Sequence, residues 1–315
     1  MTKPCLYCYE PLPANSEADF HDSCSTLFFG TPEAPELNYS LDEMAALAKQ
    51  VVEKSIAVPG VQPKLSLSLL EDTMANTGHK RLSVVGVLGG NYIIKPPSGY
   101  YLEMPQNEHI TMRIAEAFSI PVVPSSLIRL QSGELCYITK RIDRTEKGGK
   151  IHMLDMFQLL EAADKYKSSM EKIGKGIDAF SDNTLLDKLY LFEISIFSFL
   201  TGNNDMHLKN FSLIHDDGGW HLSPAYDLLN VTLVNPADTE ELALPMEGKK
   251  KKLRREHFVR FGAGLGLNER QIRSTLLRFE KNRPVAFRWI DRSFLSAGYQ
   301  DRFKKILATR YACLS

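Results

Sequence analysis

Residues 202–214 read Gly202-Asn203-Asn204-Asp205-Met206-His207-Leu208-Lys209-Asn210-Phe211-Ser212-Leu213-Ile214, and seventeen positions past Asn210 comes Pro224-Ala225-Tyr226-Asp227. An acid, an amide five residues on, and a second acid returned after a turn at Asp216-Asp217-Gly218-Gly219 and a short strand at 220–222 make a set suited to phosphoryl transfer. In that chemistry one carboxylate orients and deprotonates an attacking hydroxyl, while an amide oxygen and another carboxylate hold magnesium bridging the phosphates. Magnesium prefers hard oxygen ligands and few protein contacts. The spacing D-x-x-x-x-N is that of a protein-kinase catalytic loop. Asp205 is therefore the expected catalytic carboxylate, and Asn210 and Asp227 the expected metal ligands. The competing reading is that Asn203, Asn204, Asp205 and Asn210 only make turns, as such residues usually do. The return of Asp227 at hairpin distance weighs against it. His207 is expected either to orient the loop or Asp227, or to be an ordinary loop histidine. Lys209 either reaches the transferring phosphate or is solvated.

A second cation is needed for the α- and β-phosphates, and Lys95 ends the strand Tyr92-Ile93-Ile94-Lys95 before two prolines. Glu108, in the following helix, is its expected acidic partner. Upstream, Gly60-Val61-Gln62 lies in a loop entering a strand. With a single glycine it is neither a G-x-G-x-x-G loop nor a Walker A loop. Backbone groups of Thr139, Lys140 and Arg141 are expected to meet the adenine edge.

These groups need a frame. Strands at 65–69, 82–88, 92–95, 126–130 and 135–140 dominate the front half, with Gly89-Gly90-Asn91 read as a hairpin turn between the second and third. Helices are expected at 40–53, capped by Ser40 with Glu43 three residues on, and at 107–118. After residue 150 helices are expected at 154–163, 185–201, 254–265, 269–281 and 302–311. The expected fold class is α+β with a mostly β N-lobe and an all-helical C-lobe, a ligand lying between them. The expected division is 1–30, a Cys/His segment; 31–144, the N-lobe; and 145–315, the C-lobe.

The 315 residues carry 38 basic and 38 acidic side chains, so no global field favours nucleic acid or an anionic membrane. Met1-Thr2-Lys3-Pro4-Cys5 lacks the apolar core of a signal peptide, the apolar runs are too short to span a bilayer, and five cysteines are an odd number. A cytoplasmic protein is expected. Cys5-x2-Cys8 followed by His21-x2-Cys24 has spacing able to enclose one tetrahedral Zn2+, the alternative being metal-free buried thiols. The run Lys249-Lys250-Lys251-Lys252 with Arg254 and Arg255 either binds an acidic face or nucleic acid, or is the solvated start of a helix.

Together, Gly60–Leu65 (G-V-Q-P-K-L), the I-K-P at Lys95, N-E-H at Asn107–His109, K-R-I-D-R at Lys140–Arg144, G-N-N-D-M-H-L-K-N-F at Gly202–Phe211 and P-A-Y-D at Pro224–Asp227 resemble the HipA family of toxin kinases, in consistent order over residues 40–310. The nearest likeness is to the short HipT type. The resemblance implies a protein-kinase-like two-lobed fold and an ATP- and Mg2+-dependent serine/threonine kinase, the toxin of a toxin–antitoxin system. It implies Asp205 as base, Asn210 and Asp227 as Mg2+ ligands and Lys95 as the ATP lysine. Implied partners are a helix-turn-helix antitoxin, a small HipS-like subunit, a protein substrate such as an aminoacyl-tRNA synthetase, and DNA only through the antitoxin; no membrane is implied. The family's regulatory serine before G-x-Q falls here on Pro59 or Ala57, leaving Ser55 as the nearest hydroxyl and the autophosphorylation candidate. A kinase-like scaffold in a repressor complex and a small-molecule kinase are the alternative functions.

Overall fold

The computed structural model describes residues 2–54, 64–71, 80–86, 89–145 and 147–315. The expected loop residues Gly60, Val61 and Gln62, and Ser55, lie outside the described residues. The chain forms two compact units, Met1–His109 with Val123–Gly149, and Ile110–Val122 with Lys150–Ser315.

The first unit holds helices α1 (Asp22–Phe29) and α2 (Leu41–Lys54) and five strands, β1 (Leu65–Glu71), β2 (Lys80–Gly86), β3 (Tyr92–Lys95), β4 (Ser125–Arg129) and β5 (Leu135–Lys140). The strands pair antiparallel in the order β2-β1-β3-β5-β4. The helix α3 (Met104–Ala117) begins in this unit and ends in the second. Ser40 caps α2 as expected: its hydroxyl accepts from Glu43 N at 3.3 Å while its own N–H donates to Glu43 Oε2 at 2.7 Å. β4 and β5 form the expected hairpin.

The expected hairpin between β2 and β3 is corrected. Both strands pair with β1, on its opposite sides, so they are not neighbours. The glycines serve close approach instead. Gly90 has φ 78, and a Cβ there would lie 2.2 Å from Leu67 O on β1, so only glycine lets the backbone pass that carbonyl.

The second unit contains α4 (Met156–Leu159), α5 (Met170–Phe180), α6 (Thr184–Thr201), α7 (Val231–Val234), α8 (Arg255–Gly264), α9 (Glu269–Arg292) and α10 (Ala297–Leu314). Beside these helices lies a small sheet, β6 (Met153–Asp155), β7 (Ser212–Asp216) and β8 (Gly219–Leu222), in the order β6-β7-β8. Its β7–β8 hairpin is the one read from the sequence. The expected helix at 154–163 shrinks to one turn. Residues 153–155 pair with β7 instead, and Asp155 then caps α4, its carboxylate accepting from Gln158 N at 2.8 Å. α6 is mostly apolar over its C-terminal half, with Leu191, Phe192, Ile194, Ile196, Phe197, Phe199 and Leu200 buried, as in a core helix. Phe118 packs edge-on against Phe197 and Phe279, at 5.9 and 5.3 Å between ring centroids.

Several members of the basic run at the start of α8 are engaged within the fold, while Lys251 and Lys252 stay exposed. Lys250 pairs with Glu240 at 3.2 Å, Lys251 Nζ donates to Thr239 Oγ1 at 2.6 Å, and Arg255 donates to Leu314 O at 3.0 Å. No described helix is long and apolar enough to cross a membrane.

Candidate active site

α6 sets the position of both expected acids in the second unit. At its C-terminal end the chain turns at Gly202, φ 71, where a Cβ would meet Asn230 Oδ1 and Thr232 Oγ1 at 2.9 Å. A left-handed glycine here ends the helix and starts the polar loop. Near its N-terminal end, Asp187 accepts from Leu222 N at 2.7 Å and from Ser181 Oγ at 2.6 Å. One turn further on, Tyr190 Oη donates to Pro121 O and accepts from Ala225 N at 2.6 Å. These bonds hold the exit of β8, and with it Asp227, on the same helix that launches Asp205.

The loop is cross-braced. Asn203 N bonds Ser198 O at 2.8 Å, His207 N bonds Asp205 O at 2.9 Å, and a 3-10 turn covers Leu208–Asn210. Asn210 Oδ1 accepts from His207 N at 3.1 Å, and Asn210 Nδ2 donates to Asp227 Oδ2 at 3.2 Å. The amide and the second acid, seventeen residues apart in sequence, are thus in direct contact. Tyr226 ties the return to the loop: its hydroxyl donates to Lys209 O at 2.9 Å and lies 2.6 Å from Ser212 Oγ. Asp227 sits at φ 62, a left-handed conformation that non-glycine residues keep only when the surroundings enforce it.

Asp205 is exposed and accepts a 2.7 Å hydrogen bond from the Tyr166 hydroxyl. Burial first, and then the Asp205 carboxylate, push the Tyr166 phenol up, so it stays protonated and donating. Sequence reading missed Tyr166, which comes from the loop after α4, thirty-nine residues earlier; no motif in that loop marks it. The Tyr166 ring meets His207 edge-on at 5.1 Å. Lys209 is exposed and its ammonium rests over the Phe157 ring at 4.7 Å. Three buried polar atoms of this loop, Asn203 Nδ2, Asn204 Oδ1 and His207 Nδ1, have no hydrogen-bond partner among the described residues. A loop built only for turns would pair them.

Burial pushes the His207 imidazole below its ordinary range, against the pull of Asp205 and Asp227. The unfolded chain takes up that proton near pH ~6.5 while the folded chain holds the ring neutral to lower pH. Below about 6.5 the unfolded state therefore binds more protons, and stability falls as pH drops toward the folded value. Thermal unfolding between pH 7.5 and 5.0 should show wild type losing stability more steeply than His207→Gln; equal slopes would remove the histidine from the account.

In the first unit, Lys95 and Glu108 are 4% and 1% exposed, with Nζ and Oε1 2.5 Å apart. A buried ion pair seldom stabilises a fold more than well-packed apolar side chains would, so its presence points to use. Lys95 Nζ also lies 5.4 Å from the centre of the Tyr137 ring. At the expected adenine edge, Lys140 N donates to Pro124 O at 3.0 Å and Arg141 N to Asn91 O at 2.8 Å. The Arg141 guanidinium grips Asp143 at 2.9 and 2.6 Å, and Thr139 Oγ1 donates to Pro124 O at 2.9 Å. Both backbone N–H groups are thus engaged within the unit, and Lys140 O accepts from Thr139 Oγ1 at 3.4 Å.

The N-terminal cluster also assembles. One ligand atom from each of Cys5, Cys8, His21 and Cys24 falls within 4.8 Å of the others. His21 Nε2 is 3.1 Å from Pro11 O, and its Nδ1 lies 3.5 Å from Cys8 Sγ and 3.8 Å from Cys24 Sγ. A proton held on Nε2 by that carbonyl leaves the Nδ1 lone pair facing the sulfurs, the usual outer support of a ligating histidine.

A family profile described as HipA-like C-terminal domain matches residues 56–286. A Haemophilus influenzae protein described as a candidate kinase is 27% identical over 272 residues, covering 77% of this chain and 76% of its own length. The Shewanella oneidensis serine/threonine-protein kinase toxin HipA is 26% identical over 254 residues, covering 73% of this chain and 56% of its own. Among solved structures, the Shewanella oneidensis HipA, HipB and operator DNA complex matches with a TM-score of 0.71 at 22% identity, over 88% of this chain and 71% of that one. The Helicobacter pylori proinflammatory kinase CtkA matches with a TM-score of 0.53 at 16% identity, over 73% of this chain and 90% of that one. Both structural likenesses speak to fold, which is α+β and protein-kinase-like.

Proposed function

The chain belongs to the HipA-like C-terminal domain family, and from that premise we propose that it is an ATP- and Mg2+-dependent serine/threonine protein kinase, the toxin of a toxin–antitoxin pair. The observation that carries the reading is the Asn210–Asp227 contact beside Asp205 on one braced loop. The residues fit the metal. An amide oxygen with a second lone pair beyond its bond from His207 N, next to a carboxylate, is the hard-oxygen pair magnesium accepts. When bound, Mg2+ would neutralise charge on the β- and γ-phosphates. Asn210 and Asp227 would hold it, Lys95 would hold the α- and β-phosphates, and Glu108 would keep that lysine charged and aimed.

Asp205 has the chemistry of a base. One carboxylate oxygen is fixed by Tyr166, which leaves the other to take the proton of an incoming seryl or threonyl hydroxyl. As that proton moves to Asp205, the hydroxyl oxygen bonds the γ-phosphorus and the bond to the β–γ bridging oxygen breaks, releasing ADP. His207, buried and neutral, would hold the loop shape. A helix-turn-helix antitoxin of the HipB kind is the proposed partner, and DNA would be reached through it. The small HipS-like subunit, a cytoplasmic setting and a translation enzyme as substrate belong to the same proposal, as does Zn2+ at Cys5, Cys8, His21 and Cys24.

Purified protein incubated with γ-labelled ATP, Mg2+ and a cell lysate should label a protein on serine or threonine, with no label when Mg2+ is chelated. A labelled metabolite would make it a small-molecule kinase. Neither nucleotide binding nor transfer would leave a kinase-like scaffold.

A further inference from the structure

Within the first unit, the Cys/His module packs on both elements that carry the Lys95–Glu108 pair, through Tyr92 of β3 and His109 of α3. On one side, α1, whose first turn carries Cys24 and whose N-cap is His21, ends in Phe28 and Phe29. Their rings pack on Tyr92 of β3, at 5.9 and 6.0 Å, and β3 ends in Lys95. Phe28 also lies beneath the Lys140 ammonium at 5.8 Å. On the other side, the Cys5–Cys8 turn closes with Tyr9 N bonded to Cys5 O at 3.0 Å, and leaves Tyr9 at φ 65. That left-handed backbone is unusual for a bulky residue. It aims the ring at α3, where Tyr9 Oη and His109 Nδ1 are 2.8 Å apart in a buried hydrogen bond spanning one hundred residues of sequence. The rings also meet edge-on at 5.3 Å. His109 is the neighbour of Glu108 in α3.

A tetrahedral metal would fix the two short ligand loops against each other, and with them the entry of Tyr9 and the exit of Phe28 and Phe29. We propose that Cys5, Cys8, His21 and Cys24 form a Zn2+ site whose work is to brace the nucleotide-binding ion pair, with Tyr9 and His109 as positioning residues for Glu108 and α1 as the prop for β3 and Lys95. The metal would have no part in catalysis. Its removal would loosen α3 and β3 together, because one module holds both.

The proposal rests on Lys95 and Glu108 binding nucleotide, so its test has a part independent of ATP. The full chain should bind about one Zn2+ per molecule, read by elemental analysis. Chelation should raise hydrogen exchange in peptides covering 92–95 and 104–111 together, with peptides from α9 unchanged. Tyr9→Phe keeps the ring and all four metal ligands, so its zinc content should match wild type, while the lost buried hydrogen bond should lower its melting temperature by a few degrees. Its affinity for Mg·ATP should fall about tenfold, within the range of coupling between residues that share one network. The same change in a Glu108→Gln background should cost nothing further, since the coupling runs through Glu108. No zinc, or no change in exchange on chelation, would overturn the brace. Full ATP affinity in Tyr9→Phe, or additive losses in the double variant, would overturn the roles of Tyr9 and His109 while leaving the kinase reading intact. Were wild type to bind no ATP, the kinase reading would fail, and zinc content with exchange would still decide the brace.

Discussion

Asp205→Asn is expected to lower phosphate transfer by about three orders of magnitude, within the range that removal of a general base produces, while nucleotide affinity stays within about twofold of wild type. The substitution keeps the side-chain shape, and the Tyr166 hydroxyl can still donate to Asn Oδ1 in place of the carboxylate oxygen. Asp205 is also exposed, so the loss of its charge should leave the melting temperature nearly unchanged. Folding and binding are thereby separated from chemistry. Rapid-quench measurement of the first turnover, set beside calorimetric ATP binding, checks the split. A variant retaining a tenth or more of wild-type transfer would assign the proton to another group.

The second large effect concerns Asp227. Its φ of 62 makes the choice of replacement matter. Asparagine adopts the left-handed region more readily than other non-glycine residues, so Asp227→Asn removes a charge without straining the backbone. It should need about tenfold more Mg2+ for half-maximal transfer, because ligand charge sets the affinity of a hard-cation site. At limiting Mg2+ its rate should fall about a hundredfold, as loss of a preorganised electrostatic group does. Asp227→Ala should show the same metal defect plus a loss of stability, since alanine pays for the left-handed backbone. An unchanged Mg2+ dependence in Asp227→Asn would place the metal elsewhere.

Much of this site could be read from the chain because its signals are local. Asp205, Asn210 and Asp227 sit on a loop, a 3-10 turn and a hairpin return, so the Asn210–Asp227 contact follows from short-range geometry and a two-residue turn at Asp217-Gly218. Lys95 and Glu108 were legible for a similar reason, a strand end and the helix next in sequence. The Cys/His spacing likewise identified a four-ligand cluster that the structure brings together.

What stayed hidden depends on tertiary partners. Tyr166 reaches Asp205 from a loop with no periodicity, and Tyr9 reaches His109 across one hundred residues. The β2–β3 hairpin was misread because Gly-Gly-Asn signals a turn equally well when the glycine instead admits a crossing backbone. α5 was overlooked because Gly174 and Gly176 lower its helix propensity. Both glycines are packing sites, where a Cβ would come within 2.5 Å of Leu265 and 2.9 Å of Met156. α9 runs to Arg292, beyond the expected end at 281, because it continues through Pro284 with Ala286 and Ile290 still buried. Apolar spacing at 154–163 was shared between a strand and one capped turn, which periodicity alone cannot divide.

The central claim is that Asn210 and Asp227 hold a nucleotide-bound divalent ion beside Asp205. Crystals grown with Mn2+ and a non-hydrolysable ATP analogue, with data collected at the manganese absorption edge, test it directly. The account predicts an anomalous peak about 2.2 Å from both Asn210 Oδ1 and an Asp227 carboxylate oxygen, the distance of hard-oxygen ligation. A manganese peak bound to the analogue's phosphates but ligated by neither side chain would contradict it.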